Sequence, residues 1–291
     1  STLFPYTTLF RSSYVYKFLQ QFYSNIEYYI PDRYEEGYGI SRKGLDYAAE
    51  TGVKLIIVLD CGIKAISEIA YAKSLGIDFI ICDHHVPDDE LPDAVAILNP
   101  KRADSTYPFK HLCGCGVGFK FMQAFAKNNG IPFSQLMPLL DFCAVSIAAD
   151  IVSVTGENRI LAFHGLKQLN QNPSVGLKSI IEICGLTGRE ITMSDIIFKI
   201  GPRINASGRV QNGTETVDLL VEKDFQRALT LATQIDKHNE ERKEIDRQMS
   251  EEANQIVERL ESQEHQPAIV LYNEGWKKGV VGIVASRVTE M

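Results

Sequence analysis

At 291 residues, 45% of them apolar, the chain is long enough for two domains with sizeable cores. Its formal net charge of −7 argues mildly against a nucleic-acid partner, although an acidic, metal-collecting site can coexist with a local basic groove, for which Arg33, Lys101, Arg102, Lys120, Arg203 and Arg209 are candidates. Its apolar runs are interrupted well short of the ~20 residues a membrane-spanning helix needs, and no charged-then-apolar leader opens the sequence, so a cytoplasmic protein with no membrane partner is expected.

The first dozen residues differ from the rest. Thr2 to Ser12, TLFPYTTLFRS, resembles the translation of a common sequencing-library adapter. Residues 1–12 are therefore read as a cloning or assembly scar and left out of the expected fold. A genuine strand through Leu3, Phe4, Tyr6, Leu9 and Phe10 is the alternative. From Tyr14 to Tyr23 apolar residues recur at helical spacing. Ile26 to Ile30 then reads as a short strand leading into Pro31-Asp32-Arg33, and Glu35 to Gly39 as a loop that can bring backbone N–H groups close to a ligand.

Leu45 to Glu50, a helix, feeds the most informative stretch of the chain. An apolar, β-branched run from Val53 to Leu59 ends abruptly on Asp60 and Cys61-Gly62 and predicts a buried strand. Ile63, Ile66, Ile69, Ala70 and Ala72 follow at helical spacing until Gly76, and Ile77 to Cys82 predicts a second strand that ends on Asp83-His84-His85. A short crossover helix makes the two strands parallel. Asp60 and the Asp-His-His cluster then share one sheet edge, the carboxyl end, where ligands of open α/β sheets bind. Carboxylate with imidazole suits a divalent ion of the Mn or Zn type better than Ca. Read singly, each residue has a plainer role: a helix-capping Asp, a structural His.

Val95 to Leu98 predicts a further strand, so the fold class is α/β with a mostly parallel sheet. Cys61, Cys82, Cys143 and Cys184, in apolar surroundings, read as small core residues of a reduced compartment, and Cys113-Gly114-Cys115 as a tight glycine turn. The pattern then turns helical over Phe119 to Lys127 and Phe133 to Asp150. Asp150 either delivers a carboxylate to the site or caps its helix. Ile160 to Asn170 and Leu177 to Cys184 are amphipathic helices. Gly201 to Arg209 reads as a glycine-bounded loop whose Arg203, Asn205 and Arg209 can grip phosphate or sugar. Thr214 to Leu260 predicts one long, charged bridging helix. Beyond Gln266-Pro267, Ala268 to Tyr272 predicts a strand, and Gly275 to Arg287 the start of a second α/β domain.

The run DHHVP at Asp83 to Pro87, with LDCGI upstream, resembles the signature of the DHH phosphoesterase superfamily. YYIPDRYEEGYGIS, NPKR, CGVGFK, AADIVS, KIGPRINASGR and GWKKGVVGIVASR follow in the order in which similar blocks occur in the RecJ family of bacterial single-strand-specific exonucleases. The resemblance implies a DHH domain over residues 13–213 with a helical extension, a bridging helix over 214–264, and the start of a DHH-associated domain over 265–291.

It also implies two Mn2+ (or Mg2+) ions that clamp a scissile phosphodiester and activate water. In that scheme Asp60 bridges the ions, His84 and Asp150 complete one of them, His85 touches the phosphate or supports the ligands, and Asp83 orients an imidazole. Arg33, Arg203, Asn205 and Arg209 hold the backbone or 5′ end of single-stranded DNA, with a helicase and a single-strand-binding protein as partners. Three departures stand out. The Asp-x-Asp-Gly motif that in the family precedes the helix near Ser13 is missing, Lys277 stands where the family has His, and the later glycine-histidine motif and oligonucleotide-binding domain are absent. An impaired or inactive 5′-to-3′ exonuclease of DNA repair and recombination is therefore expected. The alternatives are a hydrolase of cyclic dinucleotides or short oligonucleotides, and a non-catalytic single-strand binder.

Overall fold

In a computed structural model the described residues are 8–32, 34–150, 152–210, 213–261 and 268–289. The centre is a three-stranded parallel sheet in the order β1 (Leu55–Leu59), β2 (Asp78–Cys82), β3 (Ala96–Leu98). Leu55 pairs with Asp78 and Leu59 with Cys82, so β1 and β2 end level and deliver Asp60 and Asp83 to the same edge. The α/β reading and the parallel crossover hold. Helix α3 (Ile66–Ser74) joins the strands and buries Ile69 and Ala72 with Phe79 and Ile81.

Around the sheet are α1 (Thr8–Leu19), α2 (Arg42–Glu50), α4 (Gly114–Asn128), α5 (Leu140–Asp150), α6 (Gly156–Gln171) and α7 (Val175–Ile183). Then come α8 (Met193–Asp195), a π-helical turn at Ile196–Ile200, α9 (Gly201–Val210), α10 (Thr214–Val221), α11 (Phe225–Glu261) and α12 (Lys278–Val288). The main core gathers Phe10, Tyr14 and Phe18 of α1 with Phe119, Phe142, Val145 and Ile147. Helix α5 is apolar all round and buried from Leu140 to Ala148, as a helix enclosed by other helices must be.

Several sequence expectations are corrected. Residues 8–12, set aside as foreign to the fold, open α1, where Leu9, Phe10 and Arg11 are buried. Ile26–Ile30 is not a strand. It lines a cavity of about 300 Å³ together with Leu55–Leu59 of β1. Lys54 accepts from Asp78 and Asp60 donates to Cys82, so the alternate residues Leu55, Ile57 and Leu59 turn their backbone groups away from β2, toward an edge that carries no strand among the described residues. An extended segment without a ladder partner is not a strand.

Cys113 accepts from the Gly116 N–H and caps α4, so Cys113-Gly114-Cys115 starts a helix rather than a turn. Gly201–Val210 is helical, not a loop. The single bridging helix breaks at Glu222, whose ψ of 144° ends α10, and Asp224 starts α11 by accepting from the Arg227 N–H. Ala268–Tyr272 carries no strand, and Val270 and Tyr272 are exposed. Among the described residues one stretch, Phe133–Asp150, is long and apolar enough to cross a membrane, contrary to the expectation that none is; 61% of it is buried inside the protein, where it serves as core.

Helices α5 and α6 cross at Gly165, where a Cβ would lie 2.1 Å from the Leu140 carbonyl oxygen. Gly165→Ala is expected to force the helices apart and cost about 1–3 kcal/mol or more, read from the urea midpoint at unchanged slope.

Candidate metal centre

Strand β1 stops because Asp60 takes a left-handed backbone, φ +69°, the one positive φ on a non-glycine among the described residues. Such a conformation is uncommon for a residue with a Cβ and is tolerated where the surroundings hold it. Here the Asp60 carbonyl accepts from the Tyr38 hydroxyl at 3.2 Å, and Gly62, φ +98°, turns the chain toward α3.

Asp83, at the end of β2, is fully buried and organises its neighbours through one carboxylate. Its Oδ1 accepts from the His84 N–H at 2.7 Å and the His85 N–H at 3.1 Å, and pairs with His85 Nδ1 at 2.7 Å; its Oδ2 accepts from the Ile63 N–H at 3.1 Å. Burial alone would push this carboxyl up, but the His85 ring, the His85 N–H and the Ile63 N–H outweigh it and hold it down at about 2. With Nδ1 engaged on Asp83, Nε2 is the ring nitrogen His85 has left for a ligand, the arrangement expected where a carboxylate orients a metal-ligating imidazole. Asn99, from the NPKR block, fixes the same turn by donating to the His85 carbonyl at 2.9 Å.

His84 Nε2 lies 3.1 Å from Asp60 Oδ1. Burial first, then the Arg11 charge, push the His84 imidazole down to about 3, so it is neutral at pH 7 and carries a free lone pair. Donor atoms of Asp60, His84 and His85 lie within 4.8 Å of one another. One carboxylate and two imidazoles suit a Mn- or Zn-type ion, and these three residues fit one.

Asp150 reaches the site by another route. The guanidinium of Arg11, 0% exposed, pairs through Nη1 with Asp60 and through Nη2 with Asp150. Asp150 is thus tied to Asp60 through a cation and is not part of the cluster of three. Arg11 is not among the residues the sequence points to, because residues 1–12 lie outside the expected fold. The sequence pattern reads Gly114 only as part of a tight turn, whereas a Cβ there would stand 2.7 Å from both Arg11 Cζ and Asp60 Oδ1. The glycine-rich CGCGVG run was the available signal.

The candidate DNA contacts are less gathered. Arg33 lies outside the described residues, as does the side chain of Arg209. Arg203 donates through Nε to Asp236 at 2.7 Å and through Nη1 to the Lys199 carbonyl at 3.0 Å, pinning α9 to α11. Asn205 is buried within α9. The start of α9 does lie beside α5, since a Cβ on Gly201 would be 3.6 Å from that of Ala149. Arg102 pairs with Asp104 at 2.6 Å and Lys120 with Glu157 at 2.7 Å, and both line a cleft of about 560 Å³ that also includes Asn99.

Residues 10–147 match the DHH family, N-terminal domain. The chain is 41% identical over 272 residues to the single-stranded-DNA-specific exonuclease RecJ of Bacillus subtilis, covering 94% of this chain and 34% of that protein. It is 38% identical over 279 residues to RecJ of Escherichia coli, covering 92% and 48%. Among solved structures it resembles an exonuclease RecJ bound to manganese, with TM-score 0.84 and 28% identity over 98% of this chain and 71% of that one. RecJ of Thermus thermophilus in complex with Mn2+ gives TM-score 0.81 and 26% identity over 98% and 40%. The chain thus spans half or less of the length of these curated relatives.

Asp83 yields a pH signature. Its carboxyl is depressed in the folded state, so its contribution is present above the ordinary carboxylate range and is lost as pH falls toward about 2. Asp83→Asn is expected to cost about 1–3 kcal/mol at pH 7. The gap to the parent should close between about pH 4 and pH 2 when urea unfolding is followed across that range.

Proposed function

We propose, on the premise that this chain belongs to the DHH family, that it derives from a divalent-metal-dependent phosphodiester hydrolase acting on single-stranded DNA from a 5′ end. The observation that carries the reading is the convergence of Asp60, His84 and His85 at the carboxyl edge of a parallel sheet, each held by an independent local cause. When bound, a divalent ion there lowers the pKa of an attacking water and withdraws charge from a phosphate oxygen. The chain's own part is to hold donors. Asp60 is fixed by its backbone turn and His84 is kept neutral by burial. His85 is aimed by Asp83, and Asn99 locks the loop that carries both histidines.

Single-stranded DNA as substrate is supported by the likeness to RecJ proteins over nearly all of this chain. The cleft bordered by Arg102 and Lys120 beside the histidine loop is a track for the backbone. Two ions are the family expectation, and here the position between Asp60 and Asp150 is taken by a guanidinium, which supports an impaired hydrolase. A place in DNA repair and recombination, with a helicase and a single-strand-binding protein as partners, rests on the family likeness alone. A cytoplasmic setting agrees with the six unpaired cysteines, Cys61, Cys82, Cys113, Cys115, Cys143 and Cys184.

The test measures nucleotide release from a 5′-phosphorylated single strand in Mn2+. The chain as it stands is compared with one whose residues 1–12 are replaced by a strand ending in Asp-x-Asp-Gly. Little or no release is expected from the first and clear release from the second, with Asp60→Asn or His84→Ala in the restored chain reducing it by about 100-fold or more. Equal rates from the two chains would remove the two-ion reading, and turnover of a cyclic dinucleotide in place of DNA would move the substrate class.

A further inference from the structure

We infer that Cys115 and Cys143 form a buried oxidation site, a thiol pair that closes to a disulfide under hydrogen peroxide and locks α4 to α5 beside the candidate metal centre. The inference rests on the packing of these two helices and is independent of the metal-centre reading.

Cys115 stands in the first turn of α4 and Cys143 in the first turn of α5, and their sulfurs meet at 3.4 Å, with both residues fully buried. Bonded sulfurs lie ~2.0 Å apart, so closure asks for a relative shift of about 1.4 Å and no rearrangement of the helices. The surroundings hold both ends. The Tyr14 hydroxyl donates to the Cys115 carbonyl at 2.5 Å, and Asp141 fixes the start of α5 by accepting from the Ser174 N–H at 2.7 Å. The neighbouring thiol, Cys113, is engaged elsewhere: its sulfur accepts from the Gly116 N–H at 3.1 Å and caps α4. That leaves Cys143 as the partner of Cys115.

The contact also gives the two thiols different roles. At Cys115 burial pushes the thiol up, but the S–H of Cys143 and the Tyr14 hydroxyl outweigh it and bring this thiol below its usual value. At Cys143 the bond it donates, and then burial, push the thiol up. Cys115 is therefore the attacking sulfur. Its thiolate takes one oxygen from hydrogen peroxide, the O–O bond breaks, and a sulfenic acid and one water result. Cys143 then attacks the sulfenic sulfur, the S–O bond breaks, and a second water leaves with the remaining thiol proton. Two thiols lose two electrons and one peroxide becomes two waters. Peroxide, little larger than water, is an oxidant that suits a site closed to solvent. The product closes a span of 28 residues, which restricts the unfolded chain. It also fixes the two helices that border the site, since Gly114, next to Cys115, lies against Asp60, and α5 ends on Asp150.

The test exposes the full chain, reduced and then freed of reductant, to millimolar hydrogen peroxide at neutral pH, followed by alkylation after unfolding, tryptic digestion and mass spectrometry. Peptides 111–120 and 128–159 are expected as one species, lighter than their sum by two hydrogens, with fragmentation placing the link between Cys115 and Cys143. A thiol reductant should separate them. The oxidised chain is expected to melt several degrees above the reduced one. Cys143→Ala should accumulate a Cys115 sulfenic acid that dimedone captures, with no rise in melting temperature, and Cys115→Ala should leave the Cys143 thiol open to alkylation after unfolding. The peptide map of the parent decides the matter if either variant does not fold. Two intact thiols in the peroxide-treated parent, or a link that runs to Cys113, would overturn the inference, as would an equal rise in melting temperature in Cys143→Ala.

Discussion

The bridge from Arg11 to Asp60 and Asp150 is the constraint on which the rest of this structure depends. It joins α1, the end of β1 and the end of α5, three elements far apart in sequence, at one buried point. Removing one member of a buried ionic group leaves an uncompensated charge and costs about 3–5 kcal/mol, more than most single core contacts. Burial of Phe10, Tyr14 and Phe18 holds α1 in place, and the ionic contact ties its first turn to the ends of β1 and α5.

Around that point the site is built from small, mutually supporting devices. The left-handed Asp60 and the positive-φ Gly62 end one strand, and Asp83 ends the other with four contacts to its own loop and to Ile63. A shared parallel register makes both endings fall on one line. Helix α5 is held on its far side by α6 crossing at Gly165, and at its start by Asp141, which accepts from the Phe142 and Ser174 N–H groups at 2.7 Å each. Burial pushes the Asp141 carboxyl up to about 6, so this anchor is weakened rather than strengthened by ionisation: its cost grows as pH rises through that value.

Helix α11 carries the structure away from the site. Its first half packs on α7 and α9, where Arg203 meets Asp236, and Met249 and Ala253 in its second half form a separate small cluster with Val280 and Val284 of α12. Asp246 receives Arg287 from α12 at 2.9 Å, and Trp276 donates to Glu252 at 2.8 Å, so the last described segment is tied to α11 by polar as well as apolar contacts. An amphipathic helix with one apolar neighbourhood at each end and a charged middle serves as a connector.

What the sequence by itself determined was the local alternation and its endings. The run from Val53 to His85 encodes strand, helix and strand through β-branched blocks, helical spacing and abrupt acidic stops, and a short crossover leaves only the parallel arrangement. That alone puts Asp60, Asp83, His84 and His85 at one edge. Tertiary structure decided the rest, because those outcomes depend on partners distant in the chain. Ile26–Ile30 has strand-like residues but no ladder to join. Gly201–Val210 reads as a loop by its glycines and proline, yet packing against α5 and α11 makes it a helix. Arg203, free to grip phosphate on paper, is spent on Asp236. Asp150 could be assigned to capping or to the site with equal reason, and the structure sets it against the Arg11 guanidinium, outside the cluster of Asp60, His84 and His85. A buried charge is legible only when its counter-charge is known, and chain order does not record which residues meet in space.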